Sequence, residues 1–248
     1  MRIALLVSAT MVCASGLYGQ PAEDTDGGWT FRFTPYAWLP AVSGELSSGG
    51  RTADIDVSIA DTLEDLRFGV LGRCEAWKGE WGLTLDGLYS YTKSEESIGP
   101  VDLTARSYLT LIEAGGGWRL GALPLGATEG SAAISFELLA GGRYGHTRNE
   151  IDFPGPFDSK QSDDWVAPYI GGRVGVSADG TWSFILRGDV GGFGLGQAPH
   201  FTWNLVATVD CRLSELLSLD LAYRILSING DALDARLYGP ALGMTFHF

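Results

Sequence analysis

Residues 237–248 alternate, with Tyr238, Pro240, Leu242, Met244, Phe246 and Phe248 on one parity and Gly239, Ala241, Gly243, Thr245 and His247 on the other. A period of two sends successive side chains to opposite faces of a strand, so this segment has one large apolar face and one small face. The same period recurs over residues 28–42, 67–77, 81–94, 101–120, 131–148, 164–178, 181–195, 200–213, 217–228 and 235–248. These are ten predicted strands, with 8 or 12 as alternative counts, and they make the chain all-β and antiparallel. After residue 20 no apolar run reaches the roughly 20 residues of a membrane-crossing helix, so a chain that crosses a membrane must do so as a closed barrel.

Alternation alone does not separate a membrane barrel from a soluble barrel or sandwich with an aromatic core, because both have one apolar and one polar face. The kind of polar residue does. Only three lysines occur, Lys78 in a turn, Lys93 at a strand end and Lys160 in a loop, and none is predicted in mid-strand. The mid-strand charges are Arg73, Glu75, Asp86, Glu113, Glu137, Arg143, Arg173, Arg187, Asp189, Asp210, Asp220 and Arg224, with Arg212 at a strand end. Short acids and forked guanidinium groups suit pairing in a confined space, which a narrow lumen is. The opposite parity carries Phe31 and Phe33, Trp81 to Tyr91 by twos, Phe136 and Leu138, Trp182 to Leu186, Trp203 and Leu205, and Leu217 to Tyr223. Trp and Tyr gather near the ends of these runs, where amphipathic rings sit at a membrane interface. The predicted fold is therefore a transmembrane antiparallel up-and-down β-barrel of about ten strands.

Met1-Arg2, the apolar run 3–13 and the small residues Ala14, Ser15, Gly16 and Gly19 have the form of a secretory signal, which divides the chain into a signal at 1–20 and a barrel domain at 21–248. The run is too short for a spanning anchor, and Thr10-Met11-Val12 before Cys13 fits lipoprotein processing poorly. The formal net charge of −13 fits solubility and argues against nucleic acid as a partner. Cys74 and Cys211 fall in separate predicted strands, with no Cys/His spacing for a metal. No cofactor is expected.

The terminal strand, with Tyr238, Leu242, Met244, Phe246 and the final Phe248, resembles the C-terminal insertion signal of bacterial outer-membrane barrels. Residues 35–40 (Pro-Tyr-Ala-Trp-Leu-Pro), 63–69, 81–89, 168–173 (Pro-Tyr-Ile-Gly-Gly-Arg), 187–194 and 237–243 are similar to segments of a widespread group of uncharacterised Gram-negative outer-membrane β-barrel proteins. That resemblance covers most of the chain after the signal and implies a porin-like small barrel. It further implies export through the periplasm to the cell outer membrane. The partners it implies are outer-membrane lipid, the barrel-assembly machinery during insertion, and small solutes. It supplies no catalytic residues.

Strand parity places the links at 78–80, 121–130, 178–180 and 214–216 with the two termini on the periplasmic side. The longer loops, 43–66 and 149–162, then face outward. Inside the first, residues 51–59 alternate as a β-extension above the membrane, and Asp61-Thr62-Leu63-Glu64 has capping-box spacing for a short helix.

Four features invite a chemical reading. A tight turn at 214–216 places Asp210 and Asp220 opposite each other in the lumen, with Arg212, Arg224 and Arg187 near, as a plug or as a selective constriction. A slim interior that side chains can fill favours the plug. Arg187-Gly188-Asp189 spells an adhesion tripeptide, yet its spacing turns both charges into the lumen. Asp163, Asp164, His146 and His200 lie near one rim and could activate water, but no ordered catalytic motif joins them, so the expectation is a protein that is not an enzyme. The doublets and triplets of glycine lack the following helix and Lys-Ser or Lys-Thr of a phosphate loop, and fit close packing in a small barrel.

Overall fold

The computed structural model describes residues 28–48, 51–98, 101–125, 132–152, 159–178, 180–195, 198–230 and 233–248; the predicted signal at 1–20 lies outside them. The elements, in chain order, are β1 (Thr30–Trp38), β2 (Ala41–Ser48), β3 (Arg51–Val57), α1 (Ile59–Asp65), β4 (Leu66–Lys78), β5 (Trp81–Ile98), β6 (Val101–Pro124), β7 (Ala133–Asp152), β8 (Ser159–Ala178), β9 (Trp182–Gly192), β10 (Phe201–Arg212), β11 (Leu217–Asn229) and β12 (Leu233–His247). Each strand from β4 to β12 pairs antiparallel with the next, and β1 closes the circle by pairing with both β4 and β12. At the closing edge Phe31 and Phe248 exchange backbone hydrogen bonds of 3.0 and 2.9 Å.

The wall has ten strands because two of the segments are extensions. β12 pairs Trp38 with Ala241 and, three residues further along, Tyr238 with Ala41, so β2 prolongs β1 in one unshifted register across Leu39 and Pro40. Pro40 has no N–H to give to the ladder, whereas Leu39 keeps its bond to the Pro240 carbonyl at 3.0 Å. β3 folds back on β2 by the pairing of Val42 with Val57 and Ser48 with Arg51, and α1 then leads into β4. The β-extension expected at 51–59 is thus β3 at the outer end. The helix cap sits three residues earlier than its spacing suggested. Ser58 is the N-cap, and Asp61 closes the capping box as the third helical residue, because the Ser58 hydroxyl and backbone N–H both meet its carboxylate. No residue of α1 is buried, and Thr62 ties it to the Pro40 carbonyl at 2.8 Å.

The outer strands are longer than the alternation indicated. β7 runs to Asp152 and β8 starts at Ser159, so both ends of the expected loop 149–162 are strand and its centre lies outside the described residues, while Lys93 and Lys160 fall inside strands. Alternation weakens there because both faces of a strand above the hydrocarbon meet water, which leaves nothing apolar to mark a period.

The barrel is inverted relative to a soluble protein. Large apolar side chains that are exposed, among them Phe31, Trp81, Leu83, Leu138, Ile170, Phe184, Leu221, Leu242 and Met244, outnumber those that are buried among the described residues. An apolar band of this extent on the outside of a closed sheet is stable in lipid, not in water. The architecture is that of a transmembrane β-barrel of the outer-membrane type.

Candidate functional site: the barrel lumen

Inward positions of the wall carry charge from the end where β1 begins and β12 ends to the centre of the lumen, and apolar groups toward the opposite, outer end that carries β2, β3 and α1. The centre is Glu113 of β6. Its carboxylate accepts from Arg143 Nε at 3.0 Å, Arg224 Nη2 at 2.8 Å and Arg187 Nη2 at 3.0 Å, guanidinium groups contributed by β7, β11 and β9. Arg143 also donates to Asp189 at 2.7 Å and to Thr202 at 3.2 Å, and Asn204 bridges Asp189 to Arg224 at 2.9 and 3.1 Å. Arg143 is fully buried, a position an arginine tolerates only when its donors are met by acceptors. On the side of β1, Tyr36 and Arg73 donate to the two oxygens of Asp86 at 2.8 and 2.9 Å.

A second group lies nearer the end where β1 begins and β12 ends. Arg173 reaches Glu75 at 2.7 Å and Glu137 at 2.6 Å, and Arg119 reaches Glu137 at 3.3 Å. These guanidinium groups flank Trp77, whose ring centre lies 4.2 Å from Arg119 and 5.6 Å from Arg173. Trp77 is fully buried because two inward glycines face it: a Cβ added at Gly82 or Gly117 would run into the indole. Gly145 makes the same allowance for Trp165, its direct partner across β7 and β8. The glycines of this barrel are therefore counterparts to its internal aromatic rings.

The outer part of the lumen is filled by Trp38, Leu88, Leu111, Trp165, Leu226, Ile228 and Leu237, a contiguous buried cluster. Sequence reading missed it and took the lumen to be lined by charge throughout. A signal was present in the register: Leu71, Leu88 and Leu111 form one inward row across β4, β5 and β6, two residues beyond the row of Arg73, Asp86 and Glu113.

Of the predicted lumen residues, the structure joins Arg143, Arg187, Asp189, Arg224 and Glu113 in the central group, Arg73 and Asp86 beside it, and Glu75, Glu137 and Arg173 in the second one. Asp210 and Asp220 are direct cross-strand partners, as the turn at 214–216 indicated. Their expected arginine neighbours go elsewhere. Arg187 and Arg224 pair with Glu113, and Arg212 donates to the Glu215 carbonyl at 3.0 Å, while Asp220 accepts from Thr245. A cavity of about 50 Å³, bounded by Tyr36, Arg73, Asp220 and Arg224, is room for one or two waters.

Among the other candidates, Arg187 and Asp189 of the tripeptide are both buried in the lumen. At the rim, Asp163 and Asp164 are successive residues of β8 and so take opposite faces. Asp164 accepts from Tyr144 at 2.6 Å and lies 2.8 Å from His146 Nδ1, on the outer wall. His247 contacts Ser218 at 2.9 Å at the end where β12 finishes, and Cys74 and Cys211 form no disulfide. Leu242, Met244 and Phe248 of the terminal strand are exposed on the lipid side.

No family model matches the chain, and no curated protein matches it. Among solved structures it is similar to the translocator domain of the autotransporter NalP from Neisseria meningitidis, at 11% identity over 91% of this chain and 90% of that chain, with a TM-score of 0.39. It is similar to the outer membrane protease OmpT from Escherichia coli at 6% identity over 90% and 98%, TM-score 0.41. The third is Ail, the attachment invasion locus protein of Yersinia pestis, at 12% identity over 89% and 99%, TM-score 0.34, in a complex with the heparin analogue sucrose octasulfate. At these levels the likeness does not extend to any function.

Proposed function

We propose that this protein is a structural barrel of the outer membrane, exported through the periplasm, inserted with the help of the barrel-assembly machinery, and closed to solutes. What supports the closed reading is the serial filling of the lumen, an apolar cluster around Trp38, Leu111 and Trp165 above an ion-paired layer centred on Glu113. A solute would have to displace close-packed rings and then separate buried ion pairs, and small barrels have interiors that side chains suffice to fill. Outer-membrane location rests on the exposed apolar band and the lipid-facing terminal strand. No catalytic role enters this reading, because Asp164 and His146 pair on the outer wall while Glu75, Asp86, Glu113, Glu137 and Asp189 are engaged by arginine.

Two experiments test it. Purified protein should float with vesicles and show heat-modifiable gel mobility; a soluble periplasmic product would overturn the location. Vesicles carrying it should retain encapsulated sugars as protein-free vesicles do, and swelling in an isotonic sugar solution would restore the porin-like reading.

A further inference from the structure

The outer wall of β5 to β8 is layered by register. Trp81 and Trp118 stack at 5.6 Å and 8° at the periplasmic end, and the outward rows above them are mainly apolar up to the row of Gly87, Ile112, Tyr144 and Val166. Further out, Tyr91 and Tyr108 stack at 4.9 Å and 16°, in one row with Arg148. The row beyond is Lys93, Arg106, Glu150 and Lys160, one residue from each of the four strands. Arg148 donates to Glu150 at 2.9 Å, Lys160 lies 3.9 Å from the same oxygen, and the Arg148 guanidinium sits 5.9 Å from the Tyr108 ring centre. Arg148 and Lys160 thus meet one carboxylate, with Lys93 and Arg106 in its row, on a chain whose formal charge is −13, and two of these four cations are among its three lysines.

Depth decides what this band meets. Twelve residues separate Trp81 from Lys93, which at about 3.4 Å per residue and a strand tilt near 40° is about 30 Å along the membrane normal. The hydrocarbon band of such barrels is about 25 Å tall, so the cations stand at the level where outer-leaflet lipids carry their headgroups. We propose that this face binds the phosphate-bearing headgroup of an anionic glycolipid of the outer leaflet, with Lys93, Arg106, Arg148 and Lys160 meeting phosphate and the Tyr91–Tyr108 stack lying against its sugar and upper chains. Arginine forks suit phosphate oxygens, and basic groups at this depth attract anionic headgroups. The occupant is a lipid rather than a free anion because the cations stand on the outward parity of the wall, beside the Tyr91–Tyr108 stack and two rows above the row of Tyr89, Thr110, His146 and Asp164 that tops the apolar belt.

The inference rests on the membrane reading, and the test separates the two. Full-length protein is reconstituted in phosphatidylcholine vesicles containing a diphosphorylated glycolipid, extracted in mild detergent, and the retained lipid is counted by native mass spectrometry. Wild type should retain the glycolipid and bind its dephosphorylated form no better than phosphatidylcholine. The R106A/K160A variant should bind it about 25-fold more weakly, roughly five-fold per charge. R236A, which removes a guanidinium 5.8 Å from the Trp203 ring, should bind as wild type does. Should the double variant fail to fold, Lys160→Gln on an exposed side chain gives the same reading at about five-fold. Undiminished binding by these variants, an equal loss in R236A, or displacement by millimolar inorganic phosphate would overturn the proposal. Wild type that floats with vesicles but retains no glycolipid overturns it alone; wild type that does not float overturns the membrane reading as well.

Discussion

Asp86, Glu113 and Arg224 occupy the central lumen, and the next inward residues on the same three strands, Leu88, Leu111 and Leu226, occupy the outer lumen. Tyr36 and Trp38 make the same change on β1. On these four strands one step of two residues therefore carries the interior from the charged layer to the apolar cluster. The two regions fill similar space under opposite rules. The charged layer is held by partners that must all be present, since an orphaned buried charge is costly, whereas the apolar layer is held by volume and loses stability in proportion to what is removed.

Glu113→Ala is the strongest way to break the charged side of that comparison. It strips Arg143, Arg187 and Arg224 of a shared acceptor, and the expected loss is about 5 kcal/mol, read as the urea midpoint of the refolded barrel in detergent. Glu113→Gln, which keeps an acceptor oxygen, should lose less. On the apolar side, Trp165→Ala leaves a void against Gly145 and should cost about 3 to 4 kcal/mol in the same measurement. Equal, small effects for both would mean that neither layer is packed as described.

The strands and their facing were legible in the sequence because lipid-facing positions must be apolar across the whole belt, from Phe31 to Phe248, and that requirement writes an unbroken period of two. The opposition of Asp210 and Asp220 was legible too, since a tight turn fixes the register of its hairpin. The apolar half of the lumen was not. Leu88, Leu111, Leu226 and Leu237 sit on the inward parity and look like lapses in the alternation; they become a cluster only when β5, β6, β11 and β12 are placed side by side. The partners of Arg187 and Arg224 were missed for a related reason. A long guanidinium stem reaches across the lumen to Glu113, so its nearest neighbours in register are not its acceptors.

The glycines sharpen the comparison at smaller cost. Gly82→Ala would press its methyl into Trp77 and should lose about 1 to 3 kcal/mol by overpacking. Gly87→Ala, where a Cβ meets nothing within 4 Å, should unfold at nearly the same urea concentration as wild type. The smallest effect belongs to α1, outside both layers. The hydroxyl and backbone N–H of Ser58 hold the Asp61 carboxyl below its usual range. The cap therefore adds stability that is complete above the ordinary aspartate pKa of 3.8 and is lost as pH falls through the lowered value. Amide exchange at residues 58–65 should accelerate at acid pH, and Asp61→Asn should remove most of that pH dependence.

The central claim is that two unlike layers close the lumen in series, and conductance across a planar bilayer tests it most directly. Wild type, and variants opened in one layer only, such as Trp165→Ala, should be electrically silent at moderate voltage, because the ion-paired layer still blocks the path. Steady, reproducible single-channel steps from wild-type protein, altered in size by Asp220→Asn, would contradict it.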